Sequence, residues 1–345
     1  MELLTRDEFR NQVFSRDGDL CVVCGNAAAD AHHIIERRLW DDSGYYLDNG
    51  VSLCGPCHYK AEMTKISCEQ LRQYAGIETV HLPPHLYSDY FYDKWGNIIL
   101  PNGQRIKGEL FHDASVQKIL REGDMLSRFS KYVKYPRTYH LPWSPGLTKD
   151  DRQLKDVNQF SGKEVVVTIK MDGENTTMYD DYIHARSLDY HRHPSRDFVK
   201  GSIWAQIQHD IPEGWRICGE NVYAKHSIKY NKLESYFLVF SIWNEINMCL
   251  SWDETKQWCD LLGLETVPVV LYGTWDKDCI QNWYNRYVTE AKRDNQEVEG
   301  YVVRLKDSFS YGNFRKSVAK YVRKNHVATH GGWMRQTLEM NELKK

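Results

Sequence analysis

The stretch VVVTIKMDGENTTMY, residues 165–179, decides how the larger part of the chain is expected to fold. Its first five residues are apolar or β-branched, which is typical of a buried β-strand. Lys170 ends this run, and Asp172 and Gly173 follow at once. An amine at a strand end facing a cleft is costly to desolvate, so we expect Lys170 to have a chemical task.

The segments around this stretch predict a domain in which strands outnumber helices. Strand-like segments occur at 165–170, 176–186, 215–224, 235–243, 266–273 and 299–305. They do not alternate regularly with helices, which favours an antiparallel-rich α+β fold over a doubly wound parallel sheet. A capping box of Ser251 with Glu254 predicts one helix, and a second is predicted from about Asp276 to Asp294. A third is predicted to begin at Asp113 and to continue through Phe129.

Composition and charge narrow the class of protein. The 345 residues are 41% hydrophobic and 27% charged, with a formal net charge of −2. Any nucleic-acid surface is therefore expected to be a local patch. The N-terminus does not read as a signal peptide, and no apolar run of about 18 residues predicts a membrane span. Four of the nine cysteines form two CxxC pairs, which indicates metal binding in a reducing cytoplasm.

Length and composition predict three regions. Residues 1–85 are expected to form a small zinc domain. Residues 86–135 are expected to form a connector with a helix and a hairpin, whose turns are Gly96-Asn97 and Asn102-Gly103. Residues 136–345 are expected to form the larger α+β domain.

Both CxxC pairs lie in the first region. Cys21, Cys24, Cys54 and Cys57 supply four thiolates, which suit a tetrahedral structural zinc site. The interval between the pairs is longer than the roughly 15–20 residues usual for such sites, which leaves room for a second site. His32 and His33, then Asn49, then His58 follow in that order, within this interval and just after it.

This order resembles the HNH endonuclease family, which has a ββα-metal fold, over about residues 18–65. The resemblance implies that His33 is the general base and that His32 and His58 bind a catalytic Mg²⁺. It also implies that Asn49 orients the loop. A neutral imidazole can accept a proton near pH 7, while the metal stabilises the leaving oxygen. The alternative is a non-catalytic zinc module that binds nucleic acid.

Lys170 stands in a KxDG motif, which is the nucleophile motif of covalent nucleotidyltransferases. Further residues continue the pattern in order, namely Arg186, Glu220, Phe240, Glu299 and Lys320. The ordered set resembles the ATP-dependent RNA ligases, most nearly the RNA ligase 2 group, over about residues 136–330. The resemblance implies an ATP-grasp-like nucleotidyltransferase domain. Only about 20 residues follow the region of the last motif, so no C-terminal OB domain is expected.

The resemblance also implies a role for each residue of the set. Lys170 would attack the α-phosphorus of ATP to form lysyl-AMP and release pyrophosphate. By the same resemblance, Glu220 would bind the ribose, Phe240 would stack on adenine, and Arg186 would bind the nucleotide or the RNA end. Glu299 would hold a metal-bound water, and Lys320 would contact the α-phosphate. Asp172 and Asn175 would place metal waters or the lysine, and Gly173 would let the backbone approach the nucleotide closely.

Three points stay open at this stage. Packing in the core is as good an interpretation of Phe240 as stacking on adenine. If Phe240 packs in the core, Phe237 is the candidate for the stacking role. The group pairs two lysines two residues apart in its last motif, but Val322 occupies the second place here, so Arg323 or Lys324 is expected to replace it. A set of basic residues suits a nucleic-acid track as well as a solvated surface. Its members are Arg192, Arg196, Lys200, Lys225, Lys229, Lys232, Arg323 and Lys324.

The nucleophile must lose its proton before it attacks. A lysine with an ordinary pKa of about 10.4 is neutral in roughly one molecule in a thousand near pH 7.4, a deficit of about 4 kcal/mol. We therefore expect a neighbouring cation, Lys320 together with a metal ion, to lower the pKa of Lys170.

The sequence thus predicts an ATP-dependent RNA ligase, fused to an HNH nuclease, that joins 5′-phosphate and 3′-hydroxyl ends. Its expected cofactors are ATP, Mg²⁺ or Mn²⁺, and Zn²⁺. Its expected partner is nucleic acid, with RNA preferred and DNA possible for the nuclease, in RNA repair or processing in a bacterium or phage. Two alternatives are a DNA nick ligase or capping-like enzyme with a non-catalytic zinc module, and a non-catalytic sensor that binds ATP.

Overall fold

The computed structural model describes residues 2–86, 88–101, 103–148, 151–188, 193–324 and 338–344. Asn102 of the predicted hairpin and Arg192 of the basic set lie outside the described residues. The chain divides into two compact units, Met1–Lys131 and Tyr132–Lys345. Residues 86–131, most of the predicted connector, fall in the first unit.

The first unit combines short strands with four helices among its described residues. The strands are β1 (Asp30–His33), β2 (Gly50–Leu53), β3 (Phe91–Tyr92), β4 (Ile98–Ile99) and β5 (Arg105–Ile106). The helices are α1 (Arg6–Arg16), α2 (Gly55–Glu62), α3 (Cys68–Tyr74) and α4 (Ala114–Glu122). β1 and β2 form an antiparallel pair, and β3, β4 and β5 form a three-stranded antiparallel sheet where a hairpin was predicted.

Helix α1 packs against the β1–β2 pair. It begins in a capping box of Thr5 with Glu8 and buries Phe9 and Val13. A Cβ at Gly50 would lie 2.6 Å from atoms of both buried side chains, so only glycine permits this packing. The helix thereby supports the two strands that precede α2.

The fourth helix is shorter than its apolar spacing predicted. The Asp113 side chain caps α4 as expected, but the helix ends at Glu122. Asp124 has a φ of 57°, which a continuing α-helix cannot accommodate. A separate 3₁₀ turn then carries Leu126–Arg128.

The second unit holds two larger sheets. Its strands are β6 (Tyr139–His140), β7 (Glu164–Lys170), β8 (Glu174–Met178), β9 (Ile183–Ala185), β10 (Arg216–Asn221), β11 (Phe237–Trp243), β12 (Met248–Cys249), β13 (Glu265–Thr266), β14 (Val269–Thr274), β15 (Gly300–Leu305), β16 (Phe309–Ser310) and β17 (Val318–Val322). Its helices are α5 (Pro194–Val199), α6 (Ala205–Ile207), α7 (Trp252–Leu262), α8 (Lys277–Arg293) and α9 (Phe314–Ser317), with a π-helical turn at Lys200–Trp204.

Antiparallel pairing dominates both sheets, as predicted. The five-stranded sheet has the order β14-β7-β15-β17-β6, and the seven-stranded sheet has the order β16-β12-β11-β10-β8-β9 with β13 beside β11. Within the described residues, the parallel pairs are β17 with β6 and β11 with β13. The predicted capping box of Ser251 with Glu254 opens α7, and Gly263 in the left-handed region ends it.

Candidate functional site

The register of the five-stranded sheet places Lys170 beside Glu299. Lys170 is the last residue of β7, and its partner on β15 is Gly300. Glu299 precedes Gly300, so its carboxylate reaches the lysine, and Lys170 Nζ donates to Glu299 Oε2 at 2.6 Å. Two residues 129 positions apart thus form one partly buried ion pair.

The pKa of Lys170 lies above its ordinary value in this environment. Burial by itself lowers the pKa, but the Glu299 carboxylate, followed by Glu220 and Asp172, raises it further than burial lowers it. The protein groups by themselves therefore raise the pKa of Lys170, whereas the sequence predicted that Lys320 together with a metal ion would lower it. In this state Lys170 is an ammonium ion.

A cavity of about 360 Å³ adjoins Lys170. Six of the predicted residues line it, namely Lys170, Asn175, Arg186, Glu220, Phe240 and Lys320. Arg137 and Arg304, which the sequence did not single out, also line it. The cavity therefore combines cationic groups with three aromatic side chains, Tyr135, Phe240 and Phe309, as a site for an anionic ring-containing ligand would.

Glu220 and Asn175 face each other across the pairing of β10 with β8. Burial raises the pKa of Glu220 to about 8, although Lys170 opposes the rise. Its Oε1 accepts a hydrogen bond from the Gly173 N–H at 3.2 Å. Asn175 Oδ1 is buried and has no hydrogen-bond partner among the described residues, so it is open to a donor on a ligand.

Asp172 and Gly173 serve the loop and strand beside the cavity and do not line it. Asp172 Oδ2 accepts hydrogen bonds from the backbone N–H groups of Ser227 and Ile228, both at 2.7 Å. A Cβ at Gly173 would lie 2.4 Å from the carbonyl oxygen of Asn221. The close approach that requires glycine in this structure is therefore to β10. The approach of this backbone to a nucleotide stays a prediction.

The two candidate aromatic residues of β11 lie on different surfaces. Phe237 is 0% exposed and packs in the core with Met178 and Val239. Phe240 lines the cavity, and its ring meets Tyr135 edge to face at 5.1 Å. Strand geometry explains this difference, because residues an odd number apart point to opposite faces.

A partly buried polar network holds Lys320. Its Nζ lies 3.1 Å from Asp151 Oδ1, which also lies 3.2 Å from His140 Nε2. His140 Nδ1 and Ser144 Oγ are 2.8 Å apart. The parallel pairing of β17 with β6 places His140 opposite Lys320. No pattern in the sequence predicted this pairing. Burial lowers the pKa of Lys320, and Asp151 opposes this effect.

The expected substitutes for the second lysine of the last motif lie outside the cavity. Val322 is 1% exposed, Arg323 pairs with Glu297, and Lys324 is exposed. Neither Arg323 nor Lys324 lines the cavity.

Several members of the basic set are already paired. Arg196 makes a bidentate contact with Glu174 at 2.6 and 2.9 Å. Lys225 lies 2.7 Å from Glu339, and Lys229 lies near both Glu339 and Glu342. Lys200 and Lys232 are exposed. Arg196, Lys225 and Lys229 are therefore balanced by carboxylates in this structure, and the nucleic-acid track stays a prediction.

In the first unit the four predicted cysteines meet. The sulfur atoms of Cys21, Cys24, Cys54 and Cys57 all lie within 4.8 Å of one another, and none is in a disulfide. Tetrahedral zinc with Zn–S bonds of about 2.3 Å requires sulfur separations of roughly 3.8 Å. The donor set and its spacing therefore fit a structural zinc ion.

A second cluster joins His32 and His58 with Glu62, which the sequence did not single out. Their candidate ligand atoms also lie within 4.8 Å of one another. Glu62 Oε1 lies 3.4 Å from a ring nitrogen of each histidine. Glu62 follows His58 by one helical turn, so both project from the same face of α2. Two imidazoles and a carboxylate suit a divalent cation.

Asn49, which is buried, and His33, which is half-buried, lie beside this cluster. Asn49 bridges the loop, because its amide donates to the carbonyl oxygens of Ile35 and Gly44 and its Oδ1 accepts from the Ile35 N–H. The ring of His33 stacks on Phe9 with 4.5 Å between centroids. Burial, followed by Lys94, lowers the pKa of His33 to about 3, so its imidazole is neutral but weakly basic.

Lys94 brings a buried cation to the same cluster. Its Nζ lies 3.1 Å from Glu62 Oε1 and 3.5 Å from Glu36, and it donates to the His33 carbonyl oxygen. Burial, followed by Lys94, lowers the pKa of His32 to about 3. Glu62 and Glu36 thus balance a lysine from the predicted connector region.

A protein-family model matches the segment that contributes most of the residues lining the cavity. Residues 163–322 match the RNA ligase family model. This segment runs from just before β7 to the end of β17 and includes Lys170, Glu299 and Lys320. The RNA ligase match thus lies within the region of about 136–330 to which the sequence motifs pointed.

Solved structures of ligases also resemble the chain. A structure described as an archaeal ATP-dependent RNA ligase, form 1, has a TM-score of 0.38 and 14% identity, covering 78% of this chain and 64% of its own. A putative ATP-dependent DNA ligase from Aquifex aeolicus has a TM-score of 0.36 and 19% identity, covering 48% and 46%. A Naegleria gruberi RNA ligase with PPi has a TM-score of 0.35 and 14% identity, covering 70% and 79%.

The chain spans less than half the length of the Aquifex structure and under two thirds of the archaeal one. Comparison with curated proteins gives no significant match. Within the described residues, no helix has both the length and the apolar character needed to span a membrane.

Proposed function

We propose that this protein is an ATP-dependent RNA ligase that works through a lysyl-AMP intermediate on Lys170. The observation that carries the proposal is the cavity in which Lys170, Arg186, Glu220, Phe240 and Lys320 meet, although they are spread over 151 positions, from 170 to 320. The match of residues 163–322 to the RNA ligase family supports it.

The residues divide the work of the first step by their chemistry. Lys170 Nζ forms a bond to the α-phosphorus of ATP, the bond from that phosphorus to the bridging oxygen breaks, and pyrophosphate leaves. Phe240 offers a face for the adenine ring, and Lys320 and Arg186 offer cations for the phosphates. Asn175 Oδ1 can accept a hydrogen bond from the nucleotide.

Glu299 must release Lys170 before the attack, because an ammonium ion is not a nucleophile. The buried Glu299 carboxylate, with its 2.6 Å contact to the lysine, is a suitable ligand for a hard divalent cation. Bound there, such an ion would supply positive charge that neutralises the carboxylate and favours loss of the lysine proton. The proton then leaves to solvent.

In the later steps AMP passes from Lys170 to the 5′-phosphate of the polynucleotide, which regenerates the amine. Attack by the 3′-hydroxyl then forms the phosphodiester and releases AMP. RNA is the proposed substrate, since the matching family is that of RNA ligases.

The first test is intact-protein mass after incubation with ATP and Mg²⁺. A gain of one AMP, about 329 Da from the adduct chemistry, is expected for the wild type and for Lys163→Ala, in which a lysine outside the cavity is removed. No gain is expected for Lys170→Ala. If the wild type gains no mass after pyrophosphate has removed any preloaded AMP, the proposal fails.

Substrate tests separate the ligase from its alternatives. Nicked RNA should be sealed with ATP, whereas GTP should not support adduct formation. Sealing of DNA nicks alone would indicate a DNA nick ligase, and a GMP adduct would indicate a capping-like enzyme. ATP binding without any adduct would indicate a sensor.

A second function is favoured by the cluster of His32, His58 and Glu62. We propose that the first unit is an HNH nuclease whose fold is held by a zinc ion on Cys21, Cys24, Cys54 and Cys57. The order β1, β2 and α2, with the histidines on β1 and α2, supports this proposal. His33 would take a proton from water, and the negative charge of a bound phosphate would raise its pKa toward the useful range.

Cleavage assays test the nuclease. The wild type should cut RNA or DNA with Mg²⁺ or Mn²⁺, and His58→Ala should not, while His112→Ala, at an exposed histidine in the same unit, should behave as the wild type. Equal cleavage by His58→Ala and the wild type would refute the metal assignment. Absence of cleavage by every protein would leave the zinc module as a binding domain.

A further inference from the structure

The segment Leu338–Lys344 lies against the loop that follows β10. Met340 bridges to Ala224 and Leu343 bridges to Leu233. Lys225 Nζ lies 2.7 Å from Glu339, and the Lys229 ammonium donates to the Met340 carbonyl oxygen. The segment thus binds two lysines of the basic set, for which the sequence left a nucleic-acid track and a solvated surface open.

Asn341 is the buried centre of this contact. It is 1% exposed, and its amide donates to the carbonyl oxygens of Val222 at 2.8 Å and Ala224 at 3.3 Å. Its Oδ1 accepts from the Tyr230 N–H at 2.8 Å. Its backbone carbonyl accepts from the Tyr236 hydroxyl at 3.1 Å. Each polar group of the side chain is therefore used.

Tyr230 carries the contact to the nucleophile motif. It is 7% exposed, and its hydroxyl oxygen accepts a hydrogen bond from the Asp172 N–H at 2.9 Å. The Asp172 carboxylate in turn accepts from the N–H groups of Ser227 and Ile228 in the same loop. Asp172 is two residues from Lys170, so the backbone that follows the nucleophile is held by this loop and by Tyr230.

We infer that Asn341 is a positioning residue for adenylylation, acting through Tyr230 on the backbone at Asp172. The inference rests on the proposed ligase function. Asn341 fixes residues 222–230, and this loop fixes Asp172 and with it the exit of β7, so that Lys170 Nζ lies at the edge of the cavity. A nucleophile displaced by even about 1 Å loses rate steeply.

The kinetic test uses the full-length protein with Asn341→Ala, Tyr230→Phe and Glu339→Gln. The Glu339 change is the matched control, because it removes the surface pair with Lys225 and leaves Asn341 in place. AMP-protein formation is followed by mass against ATP concentration. We expect the rate constant at saturating ATP to fall tenfold or more in the first two variants, with the ATP KM changed less than threefold. Glu339→Gln should stay within twofold of the wild type.

The outcomes distinguish positioning from simple destabilisation. A wild-type rate in Asn341→Ala with a lowered melting temperature would overturn the inference. If that variant does not fold, Tyr230→Phe decides, because it loses only one hydroxyl, and a wild-type rate there would also overturn it.

Hydrogen exchange keeps the test independent of activity. The amides of Ser227 and Ile228 should exchange faster in folded Asn341→Ala than in the wild type, and unchanged exchange would overturn the inference. If the wild type forms no AMP adduct, the proposed ligase function fails, while faster exchange in the variant still supports control of the Asp172 loop by Asn341.

Discussion

Replacement of Phe240 by alanine should weaken ATP binding with little loss of stability, whereas the same change at Phe237 should do the opposite. The two residues are three positions apart on β11, carry the same side chain and lie on opposite faces. Phe240 lines the cavity beside Lys170, and Phe237 is 0% exposed in the core. The pair therefore separates a ligand contact from core packing within one strand.

The magnitudes follow from burial and stacking. Loss of an aromatic face under a base costs about 1–3 kcal/mol, which raises the ATP KM roughly 5- to 150-fold. Phe240→Ala should cost about 1 kcal/mol of stability. Truncation of the fully buried Phe237 should cost about 3–5 kcal/mol, or roughly 6–20 °C in melting temperature for a unit of this size.

The assay combines thermal unfolding with the ATP dependence of AMP-protein formation, measured well below the melting temperature of each variant. A Phe240→Ala protein with the ATP KM of the wild type would refute the stacking role. So would a Phe237→Ala protein whose ATP KM rises as much as that of Phe240→Ala, since the effect would then be transmitted through the strand.

Three further predictions concern the metal sites and the Lys320 network. Cys57→Ser should lose the one zinc ion per chain that we expect in the wild type, measured by elemental analysis, whereas Cys279→Ser, in the second unit, should retain it. His58→Ala should lose Mn²⁺ binding in calorimetry while His112→Ala keeps it, and equal binding would exclude the His32–His58–Glu62 site. The Thr148 N–H and Lys320 outweigh burial and hold the pKa of Asp151 below its ordinary value, so this carboxylate contributes stability above about pH 4 that is lost as the pH falls. The difference in urea stability between the wild type and Asp151→Asn should therefore shrink on acidification below that pH, and a constant difference would contradict this account.

The sequence by itself determined the elements and the ordered motifs. Apolar runs predicted β7, β11 and β15, and the capping box of Ser251 with Glu254 predicted the start of α7, because both depend on local spacing. The four cysteines were likewise predicted from CxxC spacing. The order of the motifs along the chain predicted Lys170, Glu220 and Lys320 as site residues.

Tertiary structure alone decided which isolated polar residues join these motifs. His140 and Asp151 meet Lys320 through a parallel strand pair, Glu62 meets His32 across α2 and β1, and Asn341 reaches Tyr230 from 111 positions away. A single polar residue has no periodicity, so its partner follows only from strand register and chain crossing.

Strand register and chain crossing also place Phe240 and Phe237 on different surfaces and bring the Asp172 carboxylate to the Ser227 N–H. The choice between Phe240 and Phe237 was visible in the sequence, but a strand exposes one face to the core and the other to the cavity only after its neighbours are in place. The sequence thus determined the chemical groups available to the chain. The sheets determined which of them face the cavity, because pairing across β7, β15 and β17 sets their distances.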